Sequence, residues 1–513
     1  MLYQILKSVA GQHPGNLALA DDKRSADYQH LWNASVLIAE RLHAEGVRQG
    51  DRVCLLSENC IDSVALYWAI LQCEGIAVYL NEQTPAEGIE QIVDDAEPSV
   101  IVATEKLAKS KLSDSVKSRS SIKHLDLRTL CSIEPDQISG AAVNVSKALS
   151  DARNADPDAI ATIVYTSGST GKPKGVCLTH TNLISVAKMA GDAYNTVPTD
   201  SYLMVVPLHY IHGLMILVTM HLRGAGIHFM NSFMFPKLVT KKLIDTGVSG
   251  FSGVPFHITA LIERGGFLDA ALPNLRWVGV TGGTCATERL AQIRKRLPDI
   301  EIHISYGQTE ASPRITALHP DKIDTKADSV GNVAEGLHVE FLDEAGNPVP
   351  QGEAGELVVA GPTIMHGYWN DPENTARAVD EQRRLHTGDI AYIDEEGDVF
   401  IRGRIQAMIK SAGERIFPEE LEAVLSLSPD VVDVAVVGIP DPLYGQRVEA
   451  HVILSDENPD TLESVRKHCL DHVAFARSPK HYHRWSVFPL KANGKTDKQQ
   501  LISAADNAPG RVS

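Results

Sequence analysis

The stretch YTSGSTGKPKG, Tyr165 to Gly175, concentrates glycine, hydroxyl and lysine residues in one loop. Glycines such as Gly168 and Gly171 let a backbone approach its ligand closely. Exposed N–H groups, the hydroxyls of Thr166, Ser167, Ser169 and Thr170, and the ammonium of Lys174 are what the oxygens of a phosphate chain require. A Walker loop reads G-x-x-x-x-G-K-[ST]. Here Pro173 stands where the hydroxyl residue belongs and Thr166 where the first glycine belongs, so that reading fails. For the loop taken alone, a solvated hairpin turn is the plain alternative. His209 and His212 in PLHYIHG are residues of a metal-ligating type. No carboxylate lies near them in the sequence, so no metal site is read there.

Other blocks follow in order along the chain: YGQTEASP (Tyr306 to Pro313), GELVVAGPTIMHGYW (Gly355 to Trp369) and TGD (Thr387 to Asp389). GR (Gly403, Arg404), GERIFPEELE (Gly413 to Glu422) and NGK (Asn493 to Lys495) complete the set. Together with the loop, they resemble the blocks of the adenylate-forming superfamily across nearly the whole chain. That superfamily includes acyl- and aryl-CoA ligases, the adenylation domains of peptide synthetases and firefly-type luciferases.

The resemblance implies an enzyme, an acid–thiol ligase. It would use ATP and Mg²⁺ to join a carboxylic acid to AMP, releasing pyrophosphate. It would then pass the acyl group to a thiol, CoA in the favoured reading and a carrier-protein phosphopantetheine in the alternative. It also implies roles for single residues. Tyr306, with Gly307 beside it, stacks on adenine. Thr309 touches the α-phosphate, and Glu310, with Thr170, holds Mg²⁺. TGGT, with Gly282, Gly283 and Thr284, borders the adenine and the carboxylate. Asp389 takes the ribose hydroxyls with help from Arg404. Lys495 meets the negative charge that develops during acyl transfer to AMP.

Two departures from the family pattern stand out. Gln406 occupies the hinge position, where Asp or Lys is usual. His209 and Tyr210 replace the usual aromatic–His pair, which makes Tyr210 the expected pocket gate. The acid pocket is expected to draw on His209, Tyr210, His212, Gly213, Phe256 and Gly282. The segment Val205 to Val218 contains no acidic residue. A buried substrate ammonium needs a counter-charge, so an acid without an α-amino group is expected.

These residues need a scaffold. Strand and helix signals alternate in the first part: ADYQHLWNASVLIAERLHAEG and DSVALYWAILQCEG are helical, DRVCLLS and IAVYLN extended. Such alternation implies a largely parallel sheet covered by helices. The loop should connect the extended runs AIATIVY and GVCLTH, and Thr181 is placed to cap the helix that follows. After about residue 320 the signals become short strands with Gly/Pro turns. FPEELEAVLSLS is then helical with Pro418 in its first turn, VVDVAVVGIP and RVEAHVIL are strands, TLESVRKHCLDHVA is a helix and WSVFPL a strand. The expected class is α/β. A large domain of layered α/β sheets plus a small β-barrel spans 1–403. A small mobile α+β domain carrying Lys495 spans 404–513.

Composition sets the outer limits. The 513 residues carry a net charge of −17, which argues against general nucleic-acid binding. The seven cysteines are odd in number and form no C-x-x-C pair, which fits free thiols in a reducing compartment such as the cytoplasm. MLYQILKSVAGQHPGN lacks a basic start followed by an apolar core, so no signal peptide is read there. The apolar run Tyr202 to Met220 is interrupted by Pro207, His209, His212 and Gly213. It is expected to be a strand, a turn and a core helix, with no membrane span.

Overall fold

The computed structural model describes residues 1–133, 156–167, 173–283, 285–412, 414–456, 458–475, 477–489 and 496–506. By backbone contacts the chain divides into two units. The first comprises Met1–Val339, Val358–His386 and Glu396–Val399. The second comprises Glu340–Leu357, Thr387–Glu395 and Phe400–Ser513.

In the first unit, two large sheets carry the fold. One runs in the order Gly367–Tyr368, Pro173–Thr179, Ile160–Ser167, Ile76–Tyr79, Arg52–Leu56, Val100–Ala103 and Lys123–Asp126. Its inner strands are parallel, and the strand Pro173–Thr179 folds back antiparallel on Ile160–Ser167. The other sheet contains the parallel run Glu301–Tyr306, Trp277–Thr281, Gly250–Gly253, Ser201–Met204, Gly226–Phe229 and Leu17–Ala20. Parallel strands require crossovers, and helices supply them.

The helices Ile61–Gln72 and Ile211–Leu222 are apolar on nearly every face, as inner helices must be. They meet where Trp68 Nε1 donates to His221 Nδ1 at 3.2 Å. Burial holds the His221 imidazole neutral, its pKa lowered to about 3. The helix Ile211–Leu222 completes the expected strand, turn and helix across the apolar run, after the strand Ser201–Met204. Among the described residues, no helix is long and apolar enough to cross a membrane.

The helix His180–Ala193 is capped by Thr179, not by Thr181. The Thr179 side chain accepts from the Asn182 N–H, and the Asn182 side chain returns the bond. Thr181 instead turns its hydroxyl to Asp158 Oδ1 at 2.7 Å. The strand Pro173–Thr179 stops one residue short of the extended run GVCLTH and the helix begins at once at His180, so the cap lies two residues earlier than expected.

The second unit holds the strands Glu414–Ile416, Ile409–Ser411, Gly445–Leu454 and Val431–Asp441, with the helices Pro418–Ser426 and Pro459–His472. Its last strand is His481–Trp485, parallel to Gly445–Leu454. The expected strand WSVFPL therefore begins only where the real one ends. Phe488 packs into a small core with Ala435, Val437, Ile439 and Leu501 instead. All seven cysteines are free.

Candidate functional site

In an open α/β sheet, ligands collect beyond the carboxyl ends of the parallel strands. The ends of Ser201–Met204, Gly250–Gly253, Trp277–Thr281 and Glu301–Tyr306 lie side by side. The sequence-selected residues follow directly. His209 and Tyr210 come after the first strand, Phe256 after the second, Gly282 and Gly283 after the third, and Tyr306 to Glu310 at the fourth.

Pairing of Thr281 with Ser305 sets Gly282–Gly283 beside Tyr306–Gly307. Thr281 Oγ1 reinforces that register by donating to the Ser305 carbonyl at 3.0 Å. Gly282 has φ +80°, a conformation that favours glycine. Gly307 is required for space, because a Cβ there would lie 2.1 Å from the Pro313 carbonyl oxygen. That close approach lets the Ile315 N–H reach the Tyr306 carbonyl at 2.8 Å.

The phosphate-type loop is the tip of an antiparallel hairpin, with Thr166 opposite Lys174 and Ser167 opposite Pro173. Its tip, Gly168, Ser169, Thr170 and Gly171, lies outside the described residues, and of Ser167 only the backbone is described. Asp95 pins the hairpin base by accepting from the Tyr165 hydroxyl at 2.7 Å. The short strand Gly367–Tyr368 pairs with the same hairpin, Tyr368 opposite Val176.

That pairing brings three blocks together. Lys174 Nζ sits 5.2 Å over the Tyr368 ring. The Tyr368 hydroxyl donates to Glu310 Oε1 at 2.8 Å. The Glu310 carbonyl accepts from the Met365 N–H at 2.9 Å. Burial, and then the Glu310 carboxylate, raise the Tyr368 hydroxyl pKa, so it stays a donor. Among the described residues, Glu310 Oε2 takes no hydrogen bond, and a carboxylate oxygen so placed suits a hard cation such as Mg²⁺. Tyr368 was not singled out from the sequence. Its signal was present, since GYW ends a block already quoted.

The acid end is different. Glu82, which follows the strand Ile76–Tyr79, lies with Oε2 3.5 Å from His209 Nδ1. The segment Val205 to Val218 is thus free of acid in sequence but not in space. Burial opposes the charge on Glu82, yet bonds from His209 and the backbone outweigh it and hold its pKa below the usual value. His209 and His212 turn one ring nitrogen each to different partners, Glu82 and Ser252. The His209 and Tyr210 rings touch, centroids 4.3 Å apart. Burial and Glu82 raise the Tyr210 hydroxyl pKa.

His212 Nε2 lies 2.8 Å from Ser252 Oγ, and Ser252 Oγ lies 2.6 Å from the Tyr202 hydroxyl. Burial, then the neighbouring His257, lower the His212 pKa to about 4. His257 itself is lowered by burial to about 4 and packs on Phe233 at 4.3 Å. Phe256 is largely exposed. Gly213 lines the backbone: a Cβ there would come 2.4 Å from the Pro207 carbonyl oxygen.

Asn59 holds the same turn. Its Nδ2 donates to the Val206 carbonyl at 3.1 Å, and its Oδ1 accepts from the Leu208 N–H at 2.9 Å. Asn59 left no sequence signal, because a crossover alone brings it here, whereas Ser252 lies in FSGVPFH, Phe251 to His257, a stretch expected to line the pocket.

Within the second unit, Arg404 Nε pairs with Asp389 Oδ1 at 3.0 Å, and Asp389 is nearly fully buried. Thr387 Oγ1 accepts from the Asp389 N–H at 3.1 Å and donates to the Leu357 carbonyl at 2.6 Å. Gln406 lies in the short 3₁₀ turn Ile405–Ala407 directly after the strand Val399–Arg404. Lys495 and Thr284 lie outside the described residues.

A separate group, Glu449, His451 and His483, has ligand-type atoms within 4.8 Å of one another. Trp485 Nε1 donates to His451 Nδ1 at 2.9 Å, which leaves the proton on Nε2 and removes that nitrogen as a ligand. Glu449 accepts from Arg447 and His483. Burial opposes its charge, but these partners hold its pKa at about 2. The group is an ion-pair network.

Comparison with known proteins gives the family. Residues 6–369 match the AMP-binding enzyme family, and residues 420–495 match the AMP-binding enzyme C-terminal domain. The chain is 30% identical to a 2-succinylbenzoate–CoA ligase of Geobacillus kaustophilus, covering 97% of this chain and 96% of that one. It is 29% identical to 4-coumarate–CoA ligase 1 of Solanum tuberosum, covering 92% and 88%. Among solved structures, it is similar to the o-succinylbenzoate CoA synthetase of Bacillus subtilis in complex with an acyl-adenylate intermediate. That likeness has TM-score 0.84, 25% identity and 97% coverage of both chains. With both matches in order on one chain, and relatives aligned nearly end to end, the chain belongs to the AMP-binding enzyme family.

Proposed function

We infer that this chain is an AMP-forming acid–thiol ligase that converts a carboxylic acid to its acyl-AMP and then to its CoA thioester. The observation that carries the reading is the meeting of Glu310, Tyr368 and Lys174 at the hairpin base, in a family member aligned with CoA ligases over its length. The first step replaces a poor leaving group with AMP, and the second keeps that activation in a thioester.

Thr166, Lys174 and the loop tip cradle the phosphates, with Thr309 at the α-phosphate. Glu310, with Thr170, would hold Mg²⁺, which when bound neutralises phosphate charge. The Tyr368 hydroxyl fixes the Glu310 carboxylate. Tyr306, Gly307 and the Gly282–Thr284 turn take the adenine, and Asp389, steadied by Arg404, takes the ribose. Lys495 supplies positive charge to the oxygen that attacks phosphorus. The unit from residue 404 onward would turn about Gln406 between the steps.

The acid lacks an α-amino group and is fatty or aromatic. The Glu82 carboxylate beside the His209–Tyr210 turn is engaged by His209. The acids named for two relatives, 2-succinylbenzoate and 4-coumarate, agree with an aromatic choice. We propose the cytoplasm as its location, a reducing compartment that free thiols fit.

The test is pyrophosphate release over fatty, aryl and amino acids, followed by mass spectrometry with CoA or with a holo-carrier protein. Release with aryl or fatty acids and a CoA thioester is expected. Release with an α-amino acid alone would overturn the substrate class. A thioester on the carrier and never on CoA would overturn the acceptor.

A further inference from the structure

The direction of the hydrogen bonds behind the helix Ile211–Leu222 can be worked out donor by donor. The Ser252 N–H is a fixed donor, and it points to the Tyr202 hydroxyl oxygen at 3.0 Å. The Tyr202 proton must then go elsewhere. Ser252 Oγ, at 2.6 Å, takes it in preference to the Ser252 carbonyl at 3.5 Å. The Ser252 hydroxyl proton is left for His212 Nε2 at 2.8 Å. Nε2 is therefore an acceptor, and a neutral imidazole carries its one proton on the other nitrogen.

Three strand-borne groups thus fix the tautomer of one pocket side chain. Its Nδ1–H has no partner among the described residues. The side chain is only half-buried, and Nδ1 is not among the sealed, unpartnered polar atoms, so this donor is open to solvent. The backbone holds it there, because Gly213 fits against Pro207 without room for a Cβ. Burial keeps the ring uncharged, with its pKa lowered to about 4. A second carboxylate facing a single neutral dipole would remain uncompensated, whereas an uncharged oxygen would not.

We propose that the acid used by this chain carries, besides its carboxylate, an uncharged oxygen acceptor (hydroxyl, ether or ketone), and that His212 Nδ1–H recognises it. Ser252 and Tyr202 are positioning residues for that donor. The proposal rests on the ligase reading and narrows its substrate class.

The experiment uses the full chain with ATP, Mg²⁺, CoA and pairs of acids matched in shape but differing by one oxygen. Hydroxylated and deoxy aryl acids, and oxo and deoxy alkanoic acids, serve as pairs. kcat/KM is read by pyrophosphate release. A site built to bond an oxygen leaves its donor unpaired when the oxygen is missing, so the wild type should favour the oxygenated member of a reactive pair by roughly tenfold or more. His212→Phe should bring that ratio close to one while leaving the KM for ATP unchanged. Ser252→Ala frees the tautomer and should lower the ratio several-fold.

Equal rates for both members of every reactive pair in the wild type would overturn the proposal. So would a ratio retained in His212→Phe. Should that variant fail to fold, an unchanged ratio in Ser252→Ala would overturn it. Absence of pyrophosphate from every acid strikes the ligase reading itself and is distinguishable from these results.

Discussion

At the end of the strand Glu301–Tyr306, the functional side chains are charged and tethered. Glu310 is held by the Tyr368 hydroxyl, and Lys174 lies over the same ring. At the ends of Ser201–Met204 and Gly250–Gly253 they are mostly neutral and buried. His212 and His257 are neutral imidazoles, and the Glu82 carboxylate is paired. The two ends belong to one sheet and differ in what they must recognise. A triphosphate always brings negative charge, so fixed charges and donors serve every turnover there. The acid brings its identity in its uncharged part, and only shape and oriented dipoles can distinguish that.

Three experiments can break or sharpen this contrast. The largest effect should come from Lys495→Ala. Removing positive charge from the point where negative charge develops should slow acyl-AMP formation roughly 10²–10³-fold. Thioester formation from supplied acyl-AMP should be largely spared. Pyrophosphate release and a direct thioester assay measure the two steps, and equal loss in both would contradict the assignment.

The next effect belongs to the acid end and to pH. His212 has a folded pKa of about 4, below the unfolded value near 6.5. Its stabilising contribution is full above the unfolded pKa and is lost as pH falls from there toward 4. Between pH 7 and pH 5 this loss should be about 1–2 kcal/mol in unfolding free energy. His212→Phe should flatten the pH slope by that amount in denaturant titrations. An unchanged slope would mean that the ring is protonated in the native state.

The smallest effect is expected from Tyr368→Phe at the nucleotide end. Losing one hydrogen bond to a charged group should lower kcat/KM about 5–20-fold. The deficit should shrink as Mg²⁺ is raised, because the freed carboxylate must be positioned anew at each binding event. The same deficit at every Mg²⁺ concentration would separate Tyr368 from metal binding.

The contrast also explains what could be read from the sequence. Tyr306, Gly307 and Glu310 are contiguous, and local geometry such as the Gly307–Pro313 contact keeps them so. The alternating strands and inner helices were legible for the same reason, since periodicity is local. The relay from Tyr202 through Ser252 to His212 joins two strands and a helix by crossovers, and no spacing announces it. Glu82 escaped notice because it reaches His209 from a turn more than a hundred residues earlier. The WSVFPL misreading has a register cause. The parallel partner of Glu449–Ile453 is His481–Trp485, whose alternating polar residues hide a half-covered strand.

The tight seat of Gly213 under Pro207, with Asn59 clamping Val206 and Leu208, bears on how this enzyme could be retuned. The turn cannot lengthen or shift without breaking three backbone contacts at once. Variation must enter through side chains projecting from an unmoving main chain, at 209, 210 and 212. A mutant library confined to those positions would sample new acids at little cost in folding, whereas insertions nearby would yield mostly dead protein. The rigidity of this corner makes it a socket for interchangeable parts.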